Sequence, residues 1–102
     1  MWILRSSEAD GSFTFRLPSG AIKTIGRASR ADFILDAALV SRLHCRLEAG
    51  DDQLVVVDLK STNGTFVNDK PVANRAKLAG GDKLRVGRVE LRVEHEDLPV
   101  HD

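Results

Sequence analysis

Three short stretches of the chain combine arginine, hydroxyl and amide side chains: Gly26-Arg27, then Ser41-Arg42-Leu43-His44, then Ser61-Thr62-Asn63-Gly64-Thr65. A guanidinium offers a planar fork of donors, hydroxyls and a carboxamide add single donors, and loop N–H groups complete a receptor for an oxyanion. Phosphate suits such a receptor, with three acceptor oxygens and a charge of about −1.5 to −2. The residues alone leave phosphate and carboxylate both open. Ser41 and His44 could be imagined as nucleophile and base, but acyl transfer also needs an orienting acid and an oxyanion hole, and the sequence identifies neither. Asn63-Gly64-Thr65 also matches the glycosylation acceptor pattern, which without a secretory signal is read as coincidence.

Such residues need elements that bring them together, and the intervening sequence reads as strands. Residues 12–17 alternate polar and apolar with period two, which turns Phe13, Phe15 and Leu17 to one buried face. Before them, residues 2–4 are apolar and residues 6–11 are turn formers, so the chain is expected to open with a hairpin. Residues 22–25 and 33–35 are short β-type runs on either side of a seven-residue loop, 26–32, with two basic groups. Residues 44–47 alternate weakly, and 54–59 are apolar except for Asp58, the pattern of a central strand covered on both faces. Asn68-Asp69 reads as a tight turn. A two-residue turn at Gly87-Arg88 sets Val86 against Val89, Arg85 against Glu90 and Leu84 against Leu91, with apolar pairs on one face and an ion pair on the other. No apolar stripe of helical period appears; Ser29-Arg30-Ala31-Asp32 mimics a capping box that no helix follows. Short strands at turn-spaced intervals predict an all-β sandwich or barrel, whose loops cluster at its ends. Arg27, Ser41 and Asn63, 14 and 22 positions apart, can then build one site.

Composition narrows the function classes. A chain of 102 residues is one domain, of a size that buries roughly 60 to 70% of its unfolded surface. Fifteen Lys and Arg balance fifteen Asp and Glu, so the overall field that steers proteins to nucleic acid or anionic membranes is missing. The single tryptophan and four phenylalanines fall mostly in strand patterns rather than in a stacking platform. No apolar run approaches a membrane span or a signal peptide, and a soluble, intracellular, cytoplasmic protein is expected. One cysteine, Cys45, allows no internal disulfide and no cysteine zinc cluster; its place in a strand predicts a buried, inert thiol. His95 and His101 are not read as metal ligands. Residues 95–102 carry three acids, a proline and no Lys or Arg, and are expected to form a flexible acidic tail after a domain spanning 1–94. No cofactor, metal site, P-loop or catalytic acid pair is expected, and hence no enzyme.

The three blocks, followed by Phe66-Val67-Asn68 and by Gly81-Asp82-x-Leu84, resemble the signature of the forkhead-associated (FHA) domain, over residues 2 to about 94. That resemblance implies a sandwich of about eleven short, mainly antiparallel strands with binding loops at one end, recognising phosphothreonine on a partner phosphorylated by a Ser/Thr kinase. It also implies roles by position. Arg27 would clamp phosphate oxygens, Ser41 would donate its hydroxyl, Arg42 would contact phosphate or peptide backbone, Thr62 would lie beside them, and Asn63 would hold the peptide main chain. Gly26, His44, Gly64 and Asn68 would structure loops. Threonine would be preferred over serine through a small pocket for the γ-methyl group. Some family members carry, two residues before the motif serine, an arginine that reads an acidic residue; Leu39 stands there and points toward an apolar preference. The chain starts on strand residues at Trp2, without the threonine tail by which some bacterial relatives bind themselves, so self-inhibition is not expected. The alternative function is an FHA-fold module, also monomeric, that binds its partner through a sheet face independently of phosphate.

Overall fold

Residues 1–6 and 13–96 are described by a computed structural model. They form eleven strands: β1 (Trp2–Ser6), β2 (Thr14–Leu17), β3 (Ile22–Gly26), β4 (Phe33–Ile34), β5 (Cys45–Ala49), β6 (Leu54–Asp58), β7 (Thr65–Val67), β8 (Lys70–Pro71), β9 (Arg75–Leu78), β10 (Lys83–Val86) and β11 (Val89–His95). A six-stranded sheet runs β2-β1-β11-β10-β7-β8 and a five-stranded sheet runs β4-β3-β5-β6-β9. All pairings are antiparallel except β3 with β4. The expected all-β sandwich is therefore the observed architecture.

Period-two patterning accounts for the core between the sheets. Trp2 and Leu4 of β1, Phe15 and Leu17 of β2, Leu47 of β5, Leu54 and Val56 of β6, and Leu84, Leu91 and Val93 of the last hairpin are buried together. Each fully buried Leu or Val contributes about 1.5–3 kcal/mol relative to exposure. The β10–β11 register is the one the sequence dictates, with Leu84 opposite Leu91 and Val86 opposite Val89. Its outer face differs in detail: the Arg85 guanidinium lies 4.2 Å from the centre of the Phe66 ring, and Glu90 is 3.7 Å from Lys83 Nζ. The opening hairpin is present as the β1–β2 pair, closed by Ser6 N–H to the Phe13 carbonyl at 2.9 Å; residues 7–12 of its turn lie outside the described residues.

Three expectations need correction. β6 is interior to its sheet but is not covered on both faces, since Val55 and Val57 are half-buried. Val57 stands between Arg46 and Arg75 across neighbouring strands, and both arginines pair with Glu48, at 3.0 and 3.1 Å, so side-chain stems rather than a second layer shield it. The 26–32 loop is not a plain connection: β4 returns alongside β3 in parallel, held where the Asp32 carboxylate accepts from the Thr24 N–H (2.9 Å) and hydroxyl (3.1 Å). That return needs no helix, which is why the capping-box pattern there is empty. Finally, the acidic segment does not begin as a tail at residue 95. His95 ends β11 opposite Trp2, with the two rings stacked 3.9 Å apart, and Trp2 Nε1 donates to the Gly50 carbonyl at 2.8 Å. An aromatic stack and a strand pairing outweigh the polar composition. Residues 97–102, His101 among them, lie outside the described residues.

Candidate functional site

The C-terminal ends of β3 and β6, the starts of β5 and β7, and the β10–β11 turn all meet at one end of the sandwich. The glycine in the first block makes this convergence sterically workable. A Cβ on Gly26 would fall on the Arg42 carbonyl oxygen, with the Arg42 carbonyl carbon at 2.8 Å and Leu43 Cα at 2.9 Å. The two segments run so close that Arg27 N–H donates to the Ser41 carbonyl (3.0 Å) and Ala28 N–H to the Arg42 carbonyl (3.1 Å). On the far side, Gly87 packs against Leu39, where a Cβ would come within 2.9 Å of the Leu39 carbonyl.

Side chains then lock the loops to one another. Arg27 Nε donates to the Val40 carbonyl at 3.1 Å, which fixes the guanidinium beside the cleft it lines. Ser41 Oγ accepts from Thr62 N–H at 3.0 Å, which engages one of its two lone pairs and leaves the hydroxyl proton for a ligand. Asn63 Nδ2 donates to the Leu39 carbonyl at 3.2 Å. His44 is fully buried and joins two loops: its Nδ1 accepts from Ser41 N–H at 3.0 Å, which puts the ring proton on Nε2, donating to the Gly64 carbonyl at 2.8 Å. With both nitrogens taken by backbone, the ring cannot act as a base toward Ser41 Oγ. Gly64, with φ of +88°, supplies the left-handed turn that aims its carbonyl at the ring.

Asp58 organises the third block. Its carboxylate accepts from the Ser61 hydroxyl (2.6 Å), the Thr65 hydroxyl (2.7 Å) and Ser61 N–H (3.3 Å). Burial raises the Asp58 pKa, and those hydrogen bonds outweigh it and hold the carboxyl below the usual carboxylate value. Burial likewise pushes the His44 pKa down, against the Gly64 hydrogen bond and the nearby Asp58 charge. Because the folded state prefers neutral His44, the unfolded chain binds more protons between the lowered folded value and about 6.5, and stability falls as the pH drops through that window. Asp58 adds a second loss as the pH falls from about 3.9 toward its own lowered value. The melting temperature of the wild-type protein is therefore expected to fall between pH 7 and 5, and thermal scans of His44→Gln should show a shallower decline. A wild-type melting temperature that rises over that interval would contradict the buried neutral imidazole.

The result is an open cleft of about 830 Å³ lined by Arg27, Ser41, Arg42, Thr62 and Asn63, all five binding residues expected from sequence. Gly26, His44 and Gly64 shape its walls. Asn68 does not: it occupies the left-handed β7–β8 turn (φ 49°, with Asp69 at 68°) and ties that turn to β10 through Asp82 Oδ1 (3.1 Å) and Lys83 N–H (2.9 Å), at the opposite end of β10 from Gly87. It structures a loop, though not a cleft loop. Sequence reasoning did not single out Asp58 or Lys60. Asp58 left a signal as the one polar residue in the 54–59 run, three and seven positions before hydroxyls; Lys60 left none beyond its place next to the third block. Cys45 is fully buried and burial raises its thiol pKa strongly, in keeping with an inert side chain.

The family model described as the FHA domain matches residues 23–87, which hold every cleft residue named above. The chain belongs to the FHA family. Among solved structures, an FHA domain from a structural and functional analysis of phosphothreonine-dependent FHA interactions is 35% identical, covers 95% of this chain and 98% of its own, and superposes with a TM-score of 0.84. The FhaA FHA domain, solved in complex with the intracellular domain of Rv3910, is 35% identical with a TM-score of 0.81, over 92% of this chain and all of that one. The glycogen accumulation regulator GarA of Mycobacterium tuberculosis is 41% identical over 71 residues, 70% of this chain and 43% of GarA. This FHA domain thus spans less than half the length of that curated relative. No helix among the described residues is long and apolar enough to cross a membrane.

Proposed function

We propose that this FHA domain is a binding module that recruits a partner carrying phosphothreonine, through the cleft at the loop end of the sandwich. The observation that carries this reading is the cluster of Arg27, Arg42 and the Ser41 hydroxyl on one cleft, where Ser41 Oγ accepts from Thr62 N–H and keeps its own O–H to donate. Two guanidiniums and a hydroxyl meet the charge and the three acceptor oxygens of a phosphate monoester. Asn63, tethered to the Leu39 carbonyl, offers its carboxamide to an adjacent peptide main chain. The similar FHA domain studied for phosphothreonine-dependent interactions supports the same ligand. Binding rather than catalysis fits His44, whose two nitrogens hold backbone. The module acts as an intracellular monomer, on partners marked by a Ser/Thr kinase.

A peptide array tests this reading. Phosphothreonine peptides of varied sequence should retain the protein, phosphatase treatment of the same array should abolish retention, and phosphoserine twins should bind at least about tenfold more weakly. Retention that survives phosphatase would replace this reading with phosphate-independent binding through a sheet face.

A further inference from the structure

Two non-glycine residues with positive φ stand on the two loops that bound the cleft, Leu39 (φ 68°) and Lys60 (φ 57°). The left-handed region is unfavourable for any residue with a Cβ, and it persists only where the surroundings enforce it. At Lys60 the enforcement is visible on both sides. Leu59 N–H donates to the His44 carbonyl at 3.0 Å, and Ser61 is bound through its hydroxyl and its N–H to Asp58. Glycine or asparagine would satisfy this backbone more easily, yet a lysine occupies it, exposed and lining the cleft beside Thr62 and Asn63.

The charges around it are unbalanced. Lys83, on the sheet, meets Asp69 and Glu90; Lys60 forms no ion pair among the described residues. Asp36 is the one carboxylate lining the cleft, against Arg27, Arg42 and Lys60. A phosphate engaged by Arg27 and Arg42 uses the two guanidiniums, whose planar forks suit it, and leaves the ammonium, a compact point charge, for a different anion. We propose that Lys60 is a specificity-determining residue that selects an acidic side chain, Asp or Glu, flanking the phosphothreonine. This rests on the phosphothreonine reading and adds to it a residue that reads peptide sequence rather than phosphate.

Fluorescence anisotropy with an alanine-rich peptide carrying a central phosphothreonine tests the assignment, each flanking position being changed in turn to Asp or Lys. The wild-type protein should prefer Asp over Ala at one of these positions by about two- to fivefold at low salt, the range of an exposed ion pair, and the preference should shrink as salt is added. Lys60→Asn, which tolerates the left-handed backbone, should remove the preference while keeping the affinity for the all-alanine phosphopeptide within about twofold and without lowering the melting temperature. Lys60→Glu should turn the preference toward Lys. Wild-type binding with no Asp preference at any position, or a preference unchanged in both variants, would overturn the role of Lys60 and leave the phosphothreonine reading standing. Failure of the wild-type protein to bind any of the phosphopeptides would overturn both.

Discussion

Arg27→Ala is expected to weaken phosphothreonine-peptide binding by at least about tenfold while leaving the melting temperature nearly unchanged. Hydrogen bonds to charged groups are worth about 1.5–3 kcal/mol each, and about 1.4 kcal/mol is a factor of ten in affinity. The structural share of Arg27 is small by comparison. It is exposed, its backbone N–H bond to the Ser41 carbonyl survives the substitution, and the side-chain hydrogen bond lost is Nε to the Val40 carbonyl, at a loop that Ser41 and His44 also hold. Titration calorimetry and a thermal scan of the same variant decide the matter. A variant that unfolds but retains its affinity would show that Arg27 supports the loop and not the ligand. His44→Ala should behave differently and lower both quantities, because it removes a fully buried bridge between the Ser41 and Gly64 loops.

Gly26→Ala is expected to damage stability and binding together. The new methyl group cannot coexist with the Arg42 carbonyl in its present place, and backbone rather than a flexible side chain would have to move. Overpacking of this kind costs about 1–3 kcal/mol, which for a domain of this size lowers the melting temperature by roughly 4–8 °C per kcal/mol. The segment that must yield carries Ser41 and Arg42, so affinity should fall even at temperatures where the variant is fully folded. Gly20→Ala is a suitable control for Gly-to-Ala change in a turn, since its Cβ would meet nothing within 4 Å, although its φ of +90° adds backbone strain. A Gly26→Ala protein with unaltered affinity would mean that the crossing of these loops is not needed for the site.

The sequence was most legible where two signals agreed. At residues 84–91, alternation of apolar residues and a glycine turn each imply the same register, and a one-residue slip would put Leu84 and Val86 on the opposite face from Val89 and Leu91. The cleft residues were legible because their types are chemically unusual for loops and because a sandwich gathers loops at its ends. The parts that escaped depend on contacts between residues remote in sequence. Nothing local in the sequence says that Asp32 will clamp Thr24 and send β4 back beside β3, or that a terminal-looking histidine will stack on Trp2. Lys60 escaped for a different reason: its left-handed backbone is imposed by Asp58 and His44, and the sequence on its own would assign that conformation to a glycine or asparagine.

The pH at which binding is lost separates the ligand from the protein. The phosphate takes up its second proton near pH 6 and loses charge there. His44 belongs to the protein, so a phosphonate analogue with a different second pKa should shift the affinity midpoint if the dianion is what the cleft holds. All of this rests on phosphate being the group recognised. The direct measurement is titration calorimetry of this protein with a phosphothreonine peptide retained on the array and with its unphosphorylated twin, in one buffer at pH 7.5. Saturable binding of the phosphopeptide alone, at one site per chain, is the expected result; equal affinity for the two peptides would contradict the cleft as a phosphate receptor.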